Sequence, residues 1–520
     1  MHVSLATLGR QVWQRIVAGY HGLTPPGLVF KALQEGLGGL ILFRDNIQHG
    51  ASVLSAEAVR AQIKDFQRSI PLGAPPAWIW VDQEGGPVER LPWTMFPSLP
   101  SPWALGQYPT LIHQAVGTQA KALRILGFHS SCTPCLDINN EPDNPVIHVR
   151  SYGQTSHQVT QAGLAVFEAL KGNGVMAMAK HFPGHGNSKL DSHRDRPVLH
   201  FDLDMLAPFK ALIQADLPAV MVAHAAYPLL NSRFNEPENT PASLSRGIIE
   251  TLLRDELAFD GLVLTDDLSM GAVCTLSHPT QEAAIQLALS ACRAGHDILL
   301  YRTLDETTEA IVDALTQAIM ADTDLMKQHQ QALRRIQRAK ETYISECSSA
   351  SDDVVWPQEA FQSEATQWAR HILNPRLEDI LMPWQNRPQC WLVPDRTAWH
   401  SLAVDLPLGE PDFFEPFEHV LPRMHVDRLQ VIPYTPEALP DLAQCAVAPD
   451  CLMVVVSCLP KMGQGLPALV NRMPNPVVWV SGGLPEENVA IEASRLVAWL
   501  QPASWRPVVI RECLRLISQI

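Results

Sequence analysis

The stretch SHQVTQAGLAVFEALKGNGVMAMAKH, residues 156–181, contains one complete structural unit of the chain. Residues 156–174 place apolar side chains at helical spacing, and residues 175–181 form a short apolar run that ends in Lys180 and His181. A helix of this length can cross back over a sheet before the next strand begins, which predicts parallel strands. The unit therefore favours an α/β fold.

The same unit is repeated along the chain as far as residue 301. Eight short apolar runs that end in polar residues are strand candidates, and most are separated by stretches with helical spacing. These runs cover residues 15–20, 39–43, 78–82, 130–137, 175–181, 219–224, 261–266 and 296–301. Eight parallel strands that alternate with helices predict a closed (β/α)₈ barrel.

Ionisable residues lie at the ends of five of these runs: Asp82, Asp137, Lys180 with His181, His224 and Asp266. Any one of them could be an ordinary cap or turn residue, since a buried strand has to be followed by polar residues somewhere. Five such ends favour a site, because barrel enzymes build their active sites at the carboxyl ends of the strands.

A second α/β region follows the barrel. Residues 324–344 have helical spacing and close the barrel domain, which we place at residues 1–345. A polar, Ser- and Asp-rich segment predicts a linker at 346–357. Residues 358–520 contain further strand-like runs at 390–394, 429–433, 451–457, 475–481 and 506–510, which predict a smaller αβα sandwich.

Composition and charge limit the partners of the protein. The chain has 520 residues, 46% of them hydrophobic, and a formal net charge of −15 without a Lys/Arg-rich run. Nucleic acid and anionic membrane surfaces are therefore not expected as partners. Small uncharged or amphipathic substrates are expected instead. The sequence does not predict an oligomeric state.

The N-terminus and the cysteines indicate a cytoplasmic protein. The N-terminal residues lack a long apolar core behind basic residues, and no window approaches the length of a membrane span. The ten cysteines are scattered, which is typical of reduced, buried thiols. Cys132 and Cys135 lie in a strand-like run without a second pair, so we interpret them as packing residues.

The stretch KHFPGHGNSKLDSH, residues 180–193, contains three histidines. His181 and His185 have a spacing found among zinc ligands, but the proline and glycines around them prevent a helix from holding the two rings together. The alternative is proton transfer. Asp191 can accept a hydrogen bond from one ring nitrogen of His193 and leave the other to exchange a proton with substrate. A surface loop with a chance Asp and His remains a third interpretation.

The stretch GLVLTDDLSMGA, residues 261–272, places Asp266 at the end of an apolar strand. A carboxylate aimed into the barrel mouth could be the nucleophile of a retaining glycosidase, with an Asp–His pair as the acid/base. Taken alone, Asp266 and Asp267 could equally be helix-capping or metal-binding residues.

Six motifs together resemble the β-N-acetylglucosaminidases of glycoside hydrolase family 3. They are GGLILFRDNI (38–47), VDQEGGPVERL (81–91), DINNEPDNPVIHVRSYG (137–153), KHFPGHGNSKLDSH (180–193), VMVAHAAYP (220–228) and LTDDLSMGA (264–272). They occur in the family's order, and the KHFPGHG…DSH combination is specific to this branch. Pro87 and Thr265 depart from the commoner Arg and Ser of the branch.

The resemblance implies a role for each matching residue. Asp266 would be the nucleophile, and His193, oriented by Asp191, the acid/base. Substrate-binding residues would be Asp82, Arg90, Arg150, Lys180 and His181, which would hold the hydroxyls and acetamido group of the terminal sugar. His185 would structure the loop. No cofactor and no metal would be required.

The implied function is a retaining exo-β-N-acetylglucosaminidase that acts on muropeptides or small glycans. An N-acetylglucosaminide phosphorylase with the same nucleophile is an alternative, and a catalytically silent sugar-binding barrel is another. A metal-dependent hydrolase is testable with a chelator.

Overall fold

The structure is a computed structural model of the chain. It describes residues 4–49, 52–92, 95–141, 144–190, 192, 196–274, 280–344, 356–372, 389–394, 429–434, 451–457, 475, 477–481 and 496–500.

A closed barrel of eight parallel strands forms the first part of the chain, in the order β1-β12-β11-β10-β9-β8-β5-β2. The strands up to residue 301 are β1 (Ile16–Ala18), β2 (Gly39–Leu42), β3 (Gln48–His49), β4 (Ser52–Val53), β5 (Trp78–Val81), β6 (Gln83–Gly85), β7 (Val88–Glu89), β8 (Ser130–Ser131), β9 (Met176–Phe182), β10 (Ala219–Val222), β11 (Leu262–Asp267) and β12 (Ile298–Tyr301). The short pairs β3–β4 and β6–β7 are antiparallel. The predicted (β/α)₈ barrel is confirmed, and each of the eight predicted runs overlaps one barrel strand.

The strand β8 is much shorter than the predicted run 130–137. Beyond Ser131 the pairing continues only as an isolated bridge between Cys135 and Lys180. Pro134 contributes to this difference because proline has no N–H to donate to a strand ladder.

Helices surround the barrel. They are α1 (Leu5–Trp13), α2 (Gly27–Glu35), α3 (Ala56–Arg68), α4 (Pro102–Gln107), α5 (Pro109–Leu126), α6 (Ser156–Lys171), α7 (Leu206–Gln214), α8 (Pro228–Arg233), α9 (Gln281–Ala294), α10 (Glu306–Ala321), α11 (Thr323–Tyr343) and α12 (Gln358–Ile372). A π-type helix spans Gly247–Glu256. Helix ends follow local chemistry: the Ser55 and Thr280 hydroxyls accept N–H bonds at the starts of α3 and α9, and Gly295 ends α9 with a φ of 114°.

The alternation of side chains along the strands places core residues and site residues on the same inward-facing side. Three pairs of fully buried or nearly fully buried side chains fill the barrel interior in one cluster: Trp78 and Trp80, Met176 and Met178, and Leu262 and Leu264. Successive strand residues point to opposite faces, so the next inward position on each strand is Asp82, Lys180 and Asp266. The same pattern that packs the core therefore directs three ionisable groups to the barrel mouth.

The helix α12 packs on the outside of the barrel. Its Phe361 and Trp368 are buried in the main apolar core, and its Glu364 accepts a 2.6 Å hydrogen bond from the Thr118 hydroxyl on α5. Just before it, the Trp356 indole donates to the Met95 carbonyl at 3.0 Å. The predicted second domain begins at this helix, whose inner face belongs to the barrel core.

A second parallel sheet has the order β14-β13-β15-β16-β17. Its strands are β13 (Gln389–Pro394), β14 (Leu429–Tyr434), β15 (Leu452–Ser457), β16 (Val477–Ser481) and β17 (Leu496–Leu500). Four of them match predicted runs, and β17 was not predicted. The predicted strand at 506–510 lies outside the described residues, and the boundaries 1–345, 346–357 and 358–520 stay predictions.

Within the described part of the chain, no helix has both the length and the continuous apolar character of a membrane span.

Replacing His329 by Leu is expected to stabilise the barrel. His329 on α11 is fully buried, and neither ring nitrogen has a hydrogen-bond partner, which costs about 1–3 kcal/mol. Burial, together with Arg15, lowers the pKa of His329 to about 3. The unfolded value is about 6.5, so the stability tied to the neutral ring is present above about pH 6.5 and is lost as the pH falls towards about 3.

The gain from His329→Leu should therefore grow between about pH 7.5 and about pH 5, measured as the difference in urea midpoint of the barrel transition. The control is His157→Leu on α6, where the side chain is exposed. Equal pH dependence in the two variants would contradict the prediction.

Candidate active site

The cleft at the carboxyl ends of the barrel strands has an empty volume of about 750 Å³, including the solvent at its mouth. Its lining includes residues from seven of the eight strand ends or the loops after them. They are Ile41, Phe43, Asp82, Glu84, Val88, Arg90, Val146, Arg150, Lys180, His181, His185, Ser192, Met221, His224, Asp266, Asp267, Met270, Leu300 and Arg302. The predicted nucleophile and all the predicted substrate-binding residues line this one cleft, whereas the strand-end residue Asp137 is fully buried and does not line it.

A buried ionic cluster occupies one wall of the cleft. The Lys180 ammonium donates to Asp82 at 2.9 Å and also contacts Glu84. Arg90 reaches Asp82 at 3.3 Å, and Arg150 donates to both Glu84 oxygens at 2.9 Å through Nε and NH2. Three cations therefore surround two carboxylates, and the Arg150–Glu84 pair has the bidentate geometry that fixes a guanidinium.

The cluster keeps its members charged. Burial alone would raise the pKa of Asp82, but Lys180 and Arg90 outweigh it and lower that pKa well below its usual range. Burial alone would also raise the pKa of Glu84, but Arg150 and Lys180 outweigh it, and that pKa is lowered overall. Burial would lower the pKa of Lys180, and the two carboxylates raise it instead. The wall is therefore a fixed array of charges that can exchange hydrogen bonds with a polar ligand.

Glu84→Gln is expected to destabilise the barrel by about 3–5 kcal/mol, because Arg150 and Lys180 would lose a buried counter-charge. Since the folded-state pKa of Glu84 lies below its ordinary value, its contribution is present above about pH 4 and is lost as the pH falls through the folded value. The acid-induced fall in urea midpoint should therefore be shallower in Glu84→Gln than in wild type.

The control for this prediction is Glu57→Gln, which removes an exposed carboxylate in the first turn of α3. Its effect should stay within about 1 kcal/mol. A Glu84 variant as stable as the Glu57 variant would show that the cluster does not depend on this carboxylate.

The histidines of the KHFPGHG motif meet Asp137 at a second wall. The Asp137 Oδ2 atom lies 2.6 Å from His181 Nδ1 and accepts from the Cys135 thiol at 3.1 Å. Its Oδ1 atom accepts from the His185 backbone N–H at 2.7 Å. His185 also lines the cleft, and its implied loop-structuring role stays a prediction, because its contact with Asp137 is made by the backbone.

The three side chains Cys135, Asp137 and His181 offer donor atoms close enough together to suggest a metal site. Two ligands of one tetrahedral zinc ion, at about 2.0–2.1 Å from the metal, would lie about 3.3 Å apart. The 2.6 Å separation of His181 Nδ1 and Asp137 Oδ2 instead fits a direct hydrogen bond. We therefore interpret the group as a hydrogen-bonded network.

Asp266 and Asp267 have different environments at the end of β11. Asp266 lines the cleft, and its Oδ1 accepts from the Asp267 N–H at 2.8 Å. The Asp267 Oδ1 accepts from the backbone N–H groups of Ser269 at 2.9 Å and Arg302 at 3.0 Å. Asp267 therefore fixes the turn after the strand, which is the structural role considered for both residues, and burial raises its pKa.

His224 forms a hydrogen bond to the end of β11. Its Nδ1 lies 2.7 Å from the Ser243 hydroxyl, and its Nε2 lies 3.0 Å from the carbonyl of Asp267. A carbonyl only accepts, so Nε2 carries the proton and Nδ1 accepts from Ser243. Burial lowers the pKa of His224, which keeps the ring neutral. His224 is a cleft-lining residue, as predicted.

The predicted acid/base pair, Asp191 and His193, lies outside the described residues. Ser192 is described: it lines the cleft, and its carbonyl accepts a 3.2 Å hydrogen bond from the Ala272 N–H in the segment after β11.

Several cleft residues were missed by the sequence interpretation, among them one aromatic and two charged residues. Phe43, Glu84 and Arg302 each lie two residues beyond an inward-facing position, which for Glu84 is Asp82. Strand periodicity could therefore have found them. The Arg302 guanidinium stacks at 5.0 Å from the centre of the Phe43 ring, with Arg90 at 5.9 Å from the same ring.

Comparisons with known proteins concern the family and the fold of the chain. Residues 31–339 match the model of the glycosyl hydrolase family 3 N-terminal domain. Beta-hexosaminidase A of Pseudoalteromonas piscicida is 34% identical over 296 residues, which are 53% of this chain and 47% of that protein. The chain thus spans about half the length of that relative.

Two further relatives extend the comparison. An "uncharacterized secreted glycosyl hydrolase" of Arthroderma benhamiae is 30% identical over 346 residues, covering 64% of this chain and 92% of that protein. The structure of a glycoside hydrolase family 3 β-N-acetylglucosaminidase from Paenibacillus sp. str. FPU-7 has a TM-score of 0.77 at 24% identity, over 98% of this chain and 96% of that one. The latter shares the fold. The matched family model covers more than half of the chain and contains every one of the six motifs, so the chain belongs to glycosyl hydrolase family 3.

Proposed function

We propose that the protein is a retaining exo-β-N-acetylglucosaminidase, which hydrolyses terminal, non-reducing β-linked N-acetylglucosamine from muropeptides or small glycans. The observation that carries this proposal is one cleft that combines Asp266 at a strand end with Asp82 and the buried Arg90, Arg150, Lys180 and His181. Relatives named beta-hexosaminidase support the same substrate class.

Asp266 is the proposed nucleophile. One carboxylate oxygen attacks the anomeric carbon while the glycosidic C–O bond breaks, which gives a covalent glycosyl ester. Protonation of the departing oxygen helps this step, because that oxygen gains negative charge as the bond breaks. In the second step water attacks the same carbon and the ester bond breaks, so the anomeric configuration is retained.

His193 is the proposed acid/base, with Asp191 as its orienting partner. In the first step it gives its proton to the departing oxygen, and in the second it takes one from the attacking water. This assignment rests on the resemblance of the DSH loop to the family.

The ionic cluster is the proposed sugar-binding wall. Ionised carboxylates accept from sugar hydroxyls, whereas Lys180 and the guanidinium groups donate to hydroxyl and acetamido oxygens. Lys180 has three donors, of which Asp82 and Glu84 take two, and it lines the cleft. Because the cluster is held by its own ion pairs before substrate arrives, binding requires little rearrangement.

The test is turnover of chromogenic β-glycosides. We expect release of the chromophore from the N-acetylglucosaminide, far less from the glucoside, and equal rates with and without phosphate. A rate that depends on phosphate would indicate the phosphorylase, and no turnover of any β-glycoside would indicate a silent sugar-binding barrel. Activity that is lost with a chelator and restored by zinc would indicate a metal-dependent hydrolase; we propose that the reaction needs no cofactor.

Cytoplasmic recycling of cell-wall fragments is the setting we infer for this activity, from the cysteine pattern and from analogy with the family branch that the motifs resemble. One relative carries the word secreted in its name. Fractionation of cells that express the full-length chain tests the location, since activity in the external medium would contradict it.

A further inference from the structure

Asp137 holds more of the cleft together than the strand-end position alone suggested. Its side chain is fully buried, and four donors converge on it: His181 Nδ1 at 2.6 Å, His185 N at 2.7 Å, Cys135 Sγ at 3.1 Å and His181 N at 3.3 Å. Burial would raise the pKa of Asp137, but His181 outweighs it and the pKa is lowered. The carboxylate is therefore ionised and can only accept hydrogen bonds.

The position of the proton on His181 follows from its two neighbours. Its Nδ1 atom faces the Asp137 carboxylate at 2.6 Å, so Nδ1 has to carry a hydrogen. Its Nε2 atom lies 3.4 Å from NH2 of Arg150. A guanidinium only donates, so an Nε2 that carried a hydrogen would face another donor. The two contacts agree on one tautomer, with a lone pair on Nε2.

We propose that Asp137 is a positioning residue that holds His181 in the Nδ1–H tautomer, so that the Nε2 lone pair, whose contact with Arg150 is a long 3.4 Å, accepts a shorter hydrogen bond from a hydroxyl group of the bound sugar in its place. The inference rests on the proposed function, in which His181 contacts the sugar. This inference narrows the class of ligand, because the ligand group that contacts Nε2 has to be a hydrogen-bond donor. A hydroxyl satisfies this requirement, whereas an ether or a fluorine at the same position does not.

The first test measures the tautomer in the wild-type protein. Nitrogen NMR of the full chain, labelled with ¹⁵N-histidine, distinguishes a protonated from an unprotonated ring nitrogen, and the His181 signals are those lost in His181→Gln. We expect a protonated Nδ1 and an unprotonated Nε2. A protonated Nε2 in the wild-type protein would overturn the proposal.

The second test is Asp137→Asn. The amide oxygen can still accept the backbone N–H groups of His181 and His185, but the amide NH₂ then faces His181 Nδ1 and the Cys135 thiol. The ring should change to the Nε2–H tautomer and lose its lone pair towards the substrate. Partners that orient a functional histidine typically contribute 10–100-fold, so we expect kcat/KM to fall by about 100-fold.

A matched control separates positioning from packing. Cys135→Ala removes a donor to the same Asp137 oxygen and disturbs the same buried region, while the His181–Asp137 contact remains. We expect its tautomer to be unchanged and its kcat/KM to stay within about threefold of wild type. In the His181→Gln background, Asp137→Asn should also cost less than about threefold, since the residue acts through His181.

A deoxyfluoro series of the sugar gives the specificity readout. Wild type should lose affinity at the one position where fluorine replaces the hydroxyl that meets Nε2, and Asp137→Asn should lose that discrimination. Full additivity of the two substitutions, or a wild-type tautomer retained in Asp137→Asn together with the 100-fold loss, would overturn the inference. If the wild type turns over no glycoside at all, the proposed function fails, while the NMR result still decides the tautomer.

Discussion

Asp266→Ala should lower kcat/KM for a β-N-acetylglucosaminide by roughly 10⁴-fold or more, the range seen when a nucleophile is removed from an enzyme. The expected loss is large because the first step forms a bond to this carboxylate, and no other group supplies that bond. The measurement is steady-state turnover of an aryl glycoside together with thermal unfolding, which should be close to that of wild type.

The neighbouring carboxylate provides the control. Asp267→Asn keeps an oxygen that can accept from the N–H groups of Ser269 and Arg302, so the turn after β11 should persist. Its kcat/KM should fall far less than that of Asp266→Ala. Azide, a small anionic nucleophile, should restore turnover of Asp266→Ala and give the glycosyl azide of inverted configuration. Trapping of a fluorinated sugar on any carboxylate other than Asp266 would contradict the assignment.

His193→Ala is expected to have the second largest effect, and its size should depend on the leaving group. With a sugar as leaving group the departing oxygen needs a proton, so kcat/KM should fall by about 10²–10⁴-fold. With a nitrophenolate, which leaves without a proton, formation of the covalent ester should change little. Its hydrolysis should slow, because no group takes the proton from water, and a burst of chromophore should be seen.

His200→Gln is the control for this second prediction, since His200 is an exposed histidine that lies close by in sequence. It should leave both leaving-group classes unaffected. An equal loss for good and poor leaving groups in His193→Ala would point to a role in binding or folding instead of proton transfer.

The barrel could be predicted from the sequence because its signal is repeated. Each strand is a short apolar run, each helix has its own periodicity, and eight repetitions leave one closed architecture. The same regularity predicted that Asp82, Lys180 and Asp266 share one cleft, because each is the residue that follows the inward-facing core positions of its strand.

The rest of the site depends on contacts between residues far apart in sequence. Glu84 meets Arg150 and Lys180 across 66 and 96 positions, and no local pattern encodes that pairing. Asp137 was recognised as a strand-end residue, but its contact with His181 depends on how β8 ends and how the following loop turns. Strand β17 was missed because its run, LVAWL, is short and follows a helix-like stretch.

The packed interior of the barrel limits the routes by which molecules can enter and leave the cleft. The residues directly beneath the charged layer are at most 1% exposed; they are Trp78, Trp80, Met176, Met178, Leu262 and Leu264. In the described barrel, the proposed mechanism therefore requires the aglycone and the attacking water to use the same opening, one after the other. The proposed ester to Asp266 would keep the sugar in the cleft after the aglycone has left and before the water enters.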